Sequence, residues 1–155
     1  MHSNELVCDI LEYIDAYINT KITIEDLENK FFYNRFYIMK LFKKEIGISI
    51  IEYINKLRIN NSILEIYNFD NRMIKIAIDN GFYSLEYFSE IFKKEIGISP
   101  KQFQKALSNK YEFNDKFELA LGNMIKNKKI ISSANDYKQN RKRTVMPIKK
   151  LSIFK

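Results

Sequence analysis

Over the first hundred residues apolar positions recur every three or four places, and alternating strand-like stretches are nearly absent. Leu6, Ile10, Leu11, Ile14 and Ile18 form the stripe of a first helix. Thr23 with Asp26 makes a capping-box-like start to a short second helix over residues 24–31, and a third follows over 34–46. Ser49 with Glu52 opens a long fourth helix to about residue 67, roughly 28 Å from the helical rise. After a polar break at 68–71, a short helix over 72–80 meets Gly81. Ser84 then caps a helix that ends at Gly97, and Pro100 starts a seventh that closes near Leu107. An eighth is predicted over 114–128, weakened by Gly122 in its interior, and the polar, basic composition from Ile130 predicts a linker.

The chain contains an internal repeat. Phe42-Lys43-Lys44-Glu45-Ile46-Gly47-Ile48-Ser49 recurs fifty positions later, letter for letter, from Phe92 to Ser99. Each copy ends a helix in the same way: a Phe faces inward, the lysines face out, Gly acts as a left-handed stop and Ser starts the next helix. A duplicated short-helix, turn, longer-helix plan results. The expected fold is all-α, with helix-turn-helix units over about 23–47 and 72–97 joined by a long linker helix in a domain of residues 1–108. A C-terminal helix over 109–128 and a basic tail over 129–155 complete the expected organisation.

A short helix, a tight turn and a second helix form the geometry that presents the second helix to a major groove. In the first unit Ile38, Leu41 and Phe42 share the inward face, which turns Arg35, Phe36, Met39, Lys40 and Lys43 outward. In the second, Phe88, Ile91 and Phe92 point inward and leave Leu85, Glu86, Ser89, Glu90 and Lys93 exposed. With Lys44 and Ser84, these residues make up the candidate DNA-reading surfaces.

The run Gly81-Phe82, Ser84, Tyr87-Phe88-Ser89, Phe92-Lys93-Lys94, Gly97, Ser99-Pro100 and Phe103 resembles the signature of AraC/XylS-type transcription regulators. The first unit is similar to that family's less constrained repeat through Tyr37, Leu41-Phe42-Lys43-Lys44, Gly47, Ser49 and Tyr53. Leu57-Arg58-Ile59 resembles the start of its linker helix. The likeness covers about residues 6–107. It implies a seven-helix domain in which one monomer places two recognition helices in successive major-groove segments of promoter DNA, about 34 Å apart. By the same resemblance Phe36, Met39 and Lys40 stand where relatives contact base edges. Lys40 suits guanine, and Phe36 and Met39 suit thymine methyls. Arg35, Lys43, Lys44 and Lys93 suit phosphate.

Three positions depart from the family pattern. Glu90 stands where relatives commonly place arginine; it could accept from cytosine N4 but repels phosphate. Glu28 replaces a small residue where two helices approach closely, and Phe32 replaces a glycine where the turn favours positive φ.

Charge sharpens this picture less than its total suggests. The net charge is +7, yet residues 1–122 hold 16 lysines and arginines against 18 acids. The excess lies after Gly122, where ten basic residues oppose only Asp136, and it reads as a solvated or phosphate-seeking arm. The last eleven residues, from Val145, resemble a first strand and read as the start of a truncated effector domain. With few residues before the first helix, an effector domain is not expected there.

No long apolar run and no secretory leader are present, so neither a membrane partner nor export is expected. The lone Cys8 supports a reducing cytoplasm, with the nucleoid as the place of action. His2 and Cys8, the only residues of their kinds, supply no nucleophile and base pair. Neither an enzyme nor a cofactor is expected. The alternative to DNA reading is a protein-interaction module in which Phe36, Met39 and Leu85 meet a partner such as RNA polymerase.

Overall fold

A computed structural model describes residues 2–68, 71–109 and 114–153, with side chains to residue 143. Among the described residues eight helices follow one another: α1 (Ser3–Tyr17), α2 (Ile24–Phe31), α3 (Arg35–Ile46), α4 (Ile50–Tyr67), α5 (Met73–Asp79), α6 (Leu85–Ile96), α7 (Pro100–Ser108) and α8 (Asp115–Ile153). Among the described residues every regular element is helical, as the periodicity predicts.

Helix starts and stops come from local chemistry. Side-chain oxygens of Thr23, Asn34, Ser49, Ser84 and Ser99 accept the free backbone N–H groups of the helices that follow them. The repeated glycines, Gly47 and Gly97, take left-handed φ values of 94° and 102° and return their N–H groups to the carbonyls of Lys43 and Lys93.

Two apolar cores share α4. Ile50, Tyr53, Ile54 and Leu57 from its first half join Leu6, Ile10, Ile14, Leu27, Ile38 and Phe42 in the first core. Ile59 and Ile66 from its second half join Ile76, Phe82, Phe88, Ile91, Phe92 and Phe103 in the second. A helix that feeds cores on opposite sides needs apolar residues around most of its circumference, and α4 has them. In the second core Phe82, Phe88, Phe92, Phe103 and Phe117 form a chain of rings with centroids 5.1 to 5.8 Å apart. Burying each such side chain contributes about 1.5–3 kcal/mol.

The C-terminal region departs from expectation. The helix predicted to stop at residue 128 and give way to a linker runs on to Ile153. Gly122 sits inside it without interrupting it. The strand expected from Val145 is helical as far as Ile153, and residues 154 and 155 lie outside the described residues. The physical reason is tertiary burial: Phe117 and Ala120 enter the second core, and Ile131 and Ala134 enter the first.

The expected basic arm is also folded back. Lys138 pairs with Asp15, Arg141 with Glu5, and Lys142 with Glu12 at 3.1 Å, all on α1. Three of the ten basic residues after Gly122 therefore face acids of the same molecule.

The two departures in the first unit keep the turn unchanged in outline. Phe32 itself adopts the left-handed conformation, φ 59° and ψ 33°, with its ring 91% exposed. Glu28 turns outward and bridges the two helices. Its carboxylate accepts from the Arg35 backbone N–H at 3.0 Å and from Arg35 Nε at 3.1 Å, which holds Glu28 below the usual carboxylate range.

Arg58, buried in α4, ties the units together. Its Nε donates to the Ile18 carbonyl at 2.9 Å and its Nη2 to the Thr20 carbonyl at 2.7 Å, so it caps the chain leaving α1. Its guanidinium also lies 5.8 Å from the Phe82 ring centroid in the second unit. Gly81 makes this contact possible: its φ is +86°, and a Cβ there would stand 2.6 Å from the Ile18 oxygen and 2.9 Å from Arg58 Nε.

Two stability predictions follow from these contacts. Arg58→Met keeps the stem and removes the donors to two carbonyls, that of half-buried Ile18 and that of exposed Thr20, so urea denaturation should show a loss of about 1–3 kcal/mol; a loss below about 0.5 would contradict the capping role. Phe32→Gly relieves a left-handed side chain with little contact to lose, and thermal unfolding should register a gain of about 1 kcal/mol. A lower melting temperature would show that Phe32 carries no strain.

Candidate nucleic-acid interface

Side-chain direction on α3 follows from its packing. Ile38, Leu41 and Phe42 are buried, and this anchors the helix with its opposite face in solvent. Phe36 is 70% and Met39 37% exposed, and Lys40, Lys43 and Lys44 are exposed beside them. Two apolar side chains and three ammonium groups thus share a convex surface. Among the described residues none of these lysines is held in an ion pair. Arg35 differs: its Nη2 is 2.9 Å from Glu28, so part of its donor fork is already occupied.

On α6 the buried residues are Phe88, Ile91, Phe92 and Ile96. Glu86, Glu90 and Lys93 project into solvent as predicted. Leu85 does not; it is half-buried against the second core, because the first turn of α6 leans on that core as it leaves Phe82. Ser89 is also half-buried, and the Ser84 oxygen accepts the Tyr87 N–H at 3.1 Å as the helix cap. The outward face of α6 is therefore smaller and more acidic than that of α3.

Tyrosine pairs stand at the entrance to both helices. Tyr33 stacks on Tyr37 with centroids 5.5 Å apart, and Tyr83 on Tyr87 at 4.7 Å. The two pairs lie fifty residues apart, in the same places of the duplicated plan. The Tyr-x-x-x-Tyr spacing of both pairs stands in the sequence and is the signal by which they could be found.

A different role suits the groups deeper in the fold. Cys8 is a free buried thiol whose pKa is pushed up by burial, so it stays protonated and is a poor nucleophile or ligand. Among the described residues no group of three His, Cys, Asp or Glu side chains is placed to hold a metal ion. No helix among them is long and apolar enough to cross a membrane.

Comparison with known proteins bears on the same two units. Residues 27–106, more than half of the chain, match a helix-turn-helix domain family. A helix-turn-helix-type transcriptional regulator of Bacillus subtilis, YbfP, is 30% identical over 78 residues, which are 50% of this chain and 26% of that protein. The transcriptional activator AarP of Providencia stuartii is 26% identical over 75 residues, 48% of this chain and 56% of that one. The matches thus span about a quarter and about half of these relatives.

Among solved structures, the C-terminal domain of AraT, a response regulator from Geobacillus stearothermophilus, superimposes with a TM-score of 0.62 at 26% identity. That match covers 65% of this chain and 84% of the AraT domain. The DNA-binding domain of AdpA, solved with a target DNA, shares the fold at a TM-score of 0.62 and 15% identity, over 70% of this chain and 97% of that one. Two helix-turn-helix units on one linker helix, the family match across both, and relatives named as regulators agree: the chain belongs to the AraC-type helix-turn-helix family.

Proposed function

We propose that the protein is a sequence-specific, DNA-binding transcription regulator that enters two successive major-groove segments with α3 and α6. The observation that supports this most is the outward face of α3, where Phe36, Met39 and Lys40 stand solvent-exposed within the family-matched unit. Lys40 donates to a guanine edge while Phe36 and Met39 cover thymine methyls. Lys43, Lys44 and Lys93 sit on phosphate, as does the part of Arg35 that Glu28 leaves open. Ser84, Leu85, Glu86, Ser89 and Glu90 form the second, weaker reading surface. Glu90 accepts from cytosine N4 there.

The protein acts in this reading as a monomer in the bacterial cytoplasm, on nucleoid DNA, with RNA polymerase as a second partner. It acts by binding and carries out no catalysis. The interaction-module alternative loses one of its three exposed apolar residues, since Leu85 packs against the second core.

Affinity then depends on base contacts and geometry more than on bulk charge, and substitutions separate these contributions. Lys40→Ala should reduce the preference for an in-vitro-selected site over random DNA by about tenfold with little change in nonspecific binding. Lys93→Ala should weaken all duplexes alike and lower the slope of log affinity against log salt by about one. Both are read by fluorescence anisotropy across a salt series. Equal affinity of the intact chain for selected and random duplexes would refute sequence reading. Removing one repulsive charge, Glu90→Gln should strengthen binding to random DNA by roughly threefold; weaker binding to every duplex would show that the carboxylate makes a favourable contact.

A further inference from the structure

The C-terminal helix contacts both units and carries a regular seam. Phe117, Ala120, Met124, Asn127, Ile131, Ala134 and Lys138 follow at alternating steps of three and four, and all are buried or half-buried. That spacing keeps one face of a helix against its neighbours along its whole length. Phe117 in the second core and Tyr137 against the first stand about 20 residues, hence about 30 Å, apart on one helix.

α8 also reaches the same place in each repeat. The Tyr137 hydroxyl donates to Glu45 at 3.3 Å. The equivalent residue fifty positions on, Glu95, pairs at 2.5 Å with Lys56 of α4, whose ammonium also donates to Asn127 of α8 at 3.2 Å. Asn123 donates to the Ile96 carbonyl at 2.9 Å, and α6 ends so near that a Cβ on Gly97 would lie 3.3 Å from Asn123 Nδ2. Beyond these contacts Lys138, Arg141 and Lys142 grip α1.

We propose that α8 is a strut that sets the spacing and twist between α3 and α6, and that Tyr137, Lys138 and Arg141 are positioning residues for two-groove binding. The mechanics stand on the packing alone; the consequence for DNA rests on the function proposed above. The linker rod α4 and the Arg58 contact beside it join the units at one place, about which they can still bend and twist. A second rod, longer than α4, off that axis and anchored in both cores, removes both freedoms. This strut lies outside the family match, which ends at residue 106.

The test measures the distance between units directly. In a Cys8→Ala background, spin labels at Lys30→Cys on α2 and Ile74→Cys on α5 report that distance by pulsed dipolar spectroscopy. The intact chain gives one narrow distribution. Ending the chain after Lys128, or reversing charge with Lys138→Glu and Arg141→Glu in the full chain, broadens it about twofold. Adding Asp15→Lys and Glu5→Arg to the reversed chain narrows it again. A distribution that stays narrow in both the shortened and the reversed chain overturns the strut.

The second measurement addresses DNA. On a duplex with two half-sites selected by the intact chain, the shortened chain loses about tenfold in affinity together with the preference for one spacer length, yet binds a single half-site within about twofold. An unchanged spacer preference alongside a broadened distance overturns the positioning role. If the intact chain selects no sequence, the DNA reading fails, and the distance measurement still decides the strut.

Discussion

Much of this molecule depends on one buried cation. Among the described residues no carboxylate pairs with the Arg58 guanidinium; it is held by two carbonyls after α1 and by the face of Phe82. Burial lowers its pKa, yet an arginine keeps its charge, so those partners must stay where they are. The carbonyls lie on the chain between α1 and α2 that leads into the first unit, and the ring belongs to the second. A single side chain of α4 therefore makes the position of one helix-turn-helix unit depend on that of the other, and Gly81 is the backbone concession that lets them meet.

The parts of the fold that local chemistry determines were legible in the residues. Caps such as Thr23, Ser49 and Ser84, glycine stops at 47 and 97, and the repeated Phe-Lys-Lys-Glu octet placed seven helices and their inward faces. The outward residues of α3 followed from the same periodicity. Leu85 was misplaced because one residue at a helix start can lean either way, and only the neighbouring core decides. The reach of α8 was missed for a different reason. Its lysines and arginines dominate the composition after Gly122, while the seam of Ile131, Ala134 and Lys138 is sparse and becomes meaningful only beside α1 and α4.

Phe32 and Glu28 show how far a local rule can bend. A glycine-like turn survives with phenylalanine in the left-handed region because the flanking helices, fixed by Leu27 and Ile38 in the core, over-determine it. Glu28 avoids the crowding expected of a large side chain by turning outward to take two donors from Arg35. That ion pair stabilises the unit but occupies a cation that would otherwise face phosphate. The first unit therefore relies on Lys40, Lys43 and Lys44 for its electrostatics.

The two reading surfaces are unequal, and this changes what rigidity is for. α3 presents three exposed lysines, whereas α6 offsets Lys93 and Lys94 with Glu86 and Glu90. An acidic second helix gains little from diffuse attraction to phosphate, so in the proposed two-groove reading its contribution would depend on arriving in register once the first helix has docked. The gain from a tethered second contact rises as the tether holds it near its site and falls as the units wander. Under the proposed function, a protein that has placed acids on its weaker probe, and has set Lys138, Arg141 and Lys142 against its own α1, would draw two-site affinity from geometric constraint more than from bulk charge.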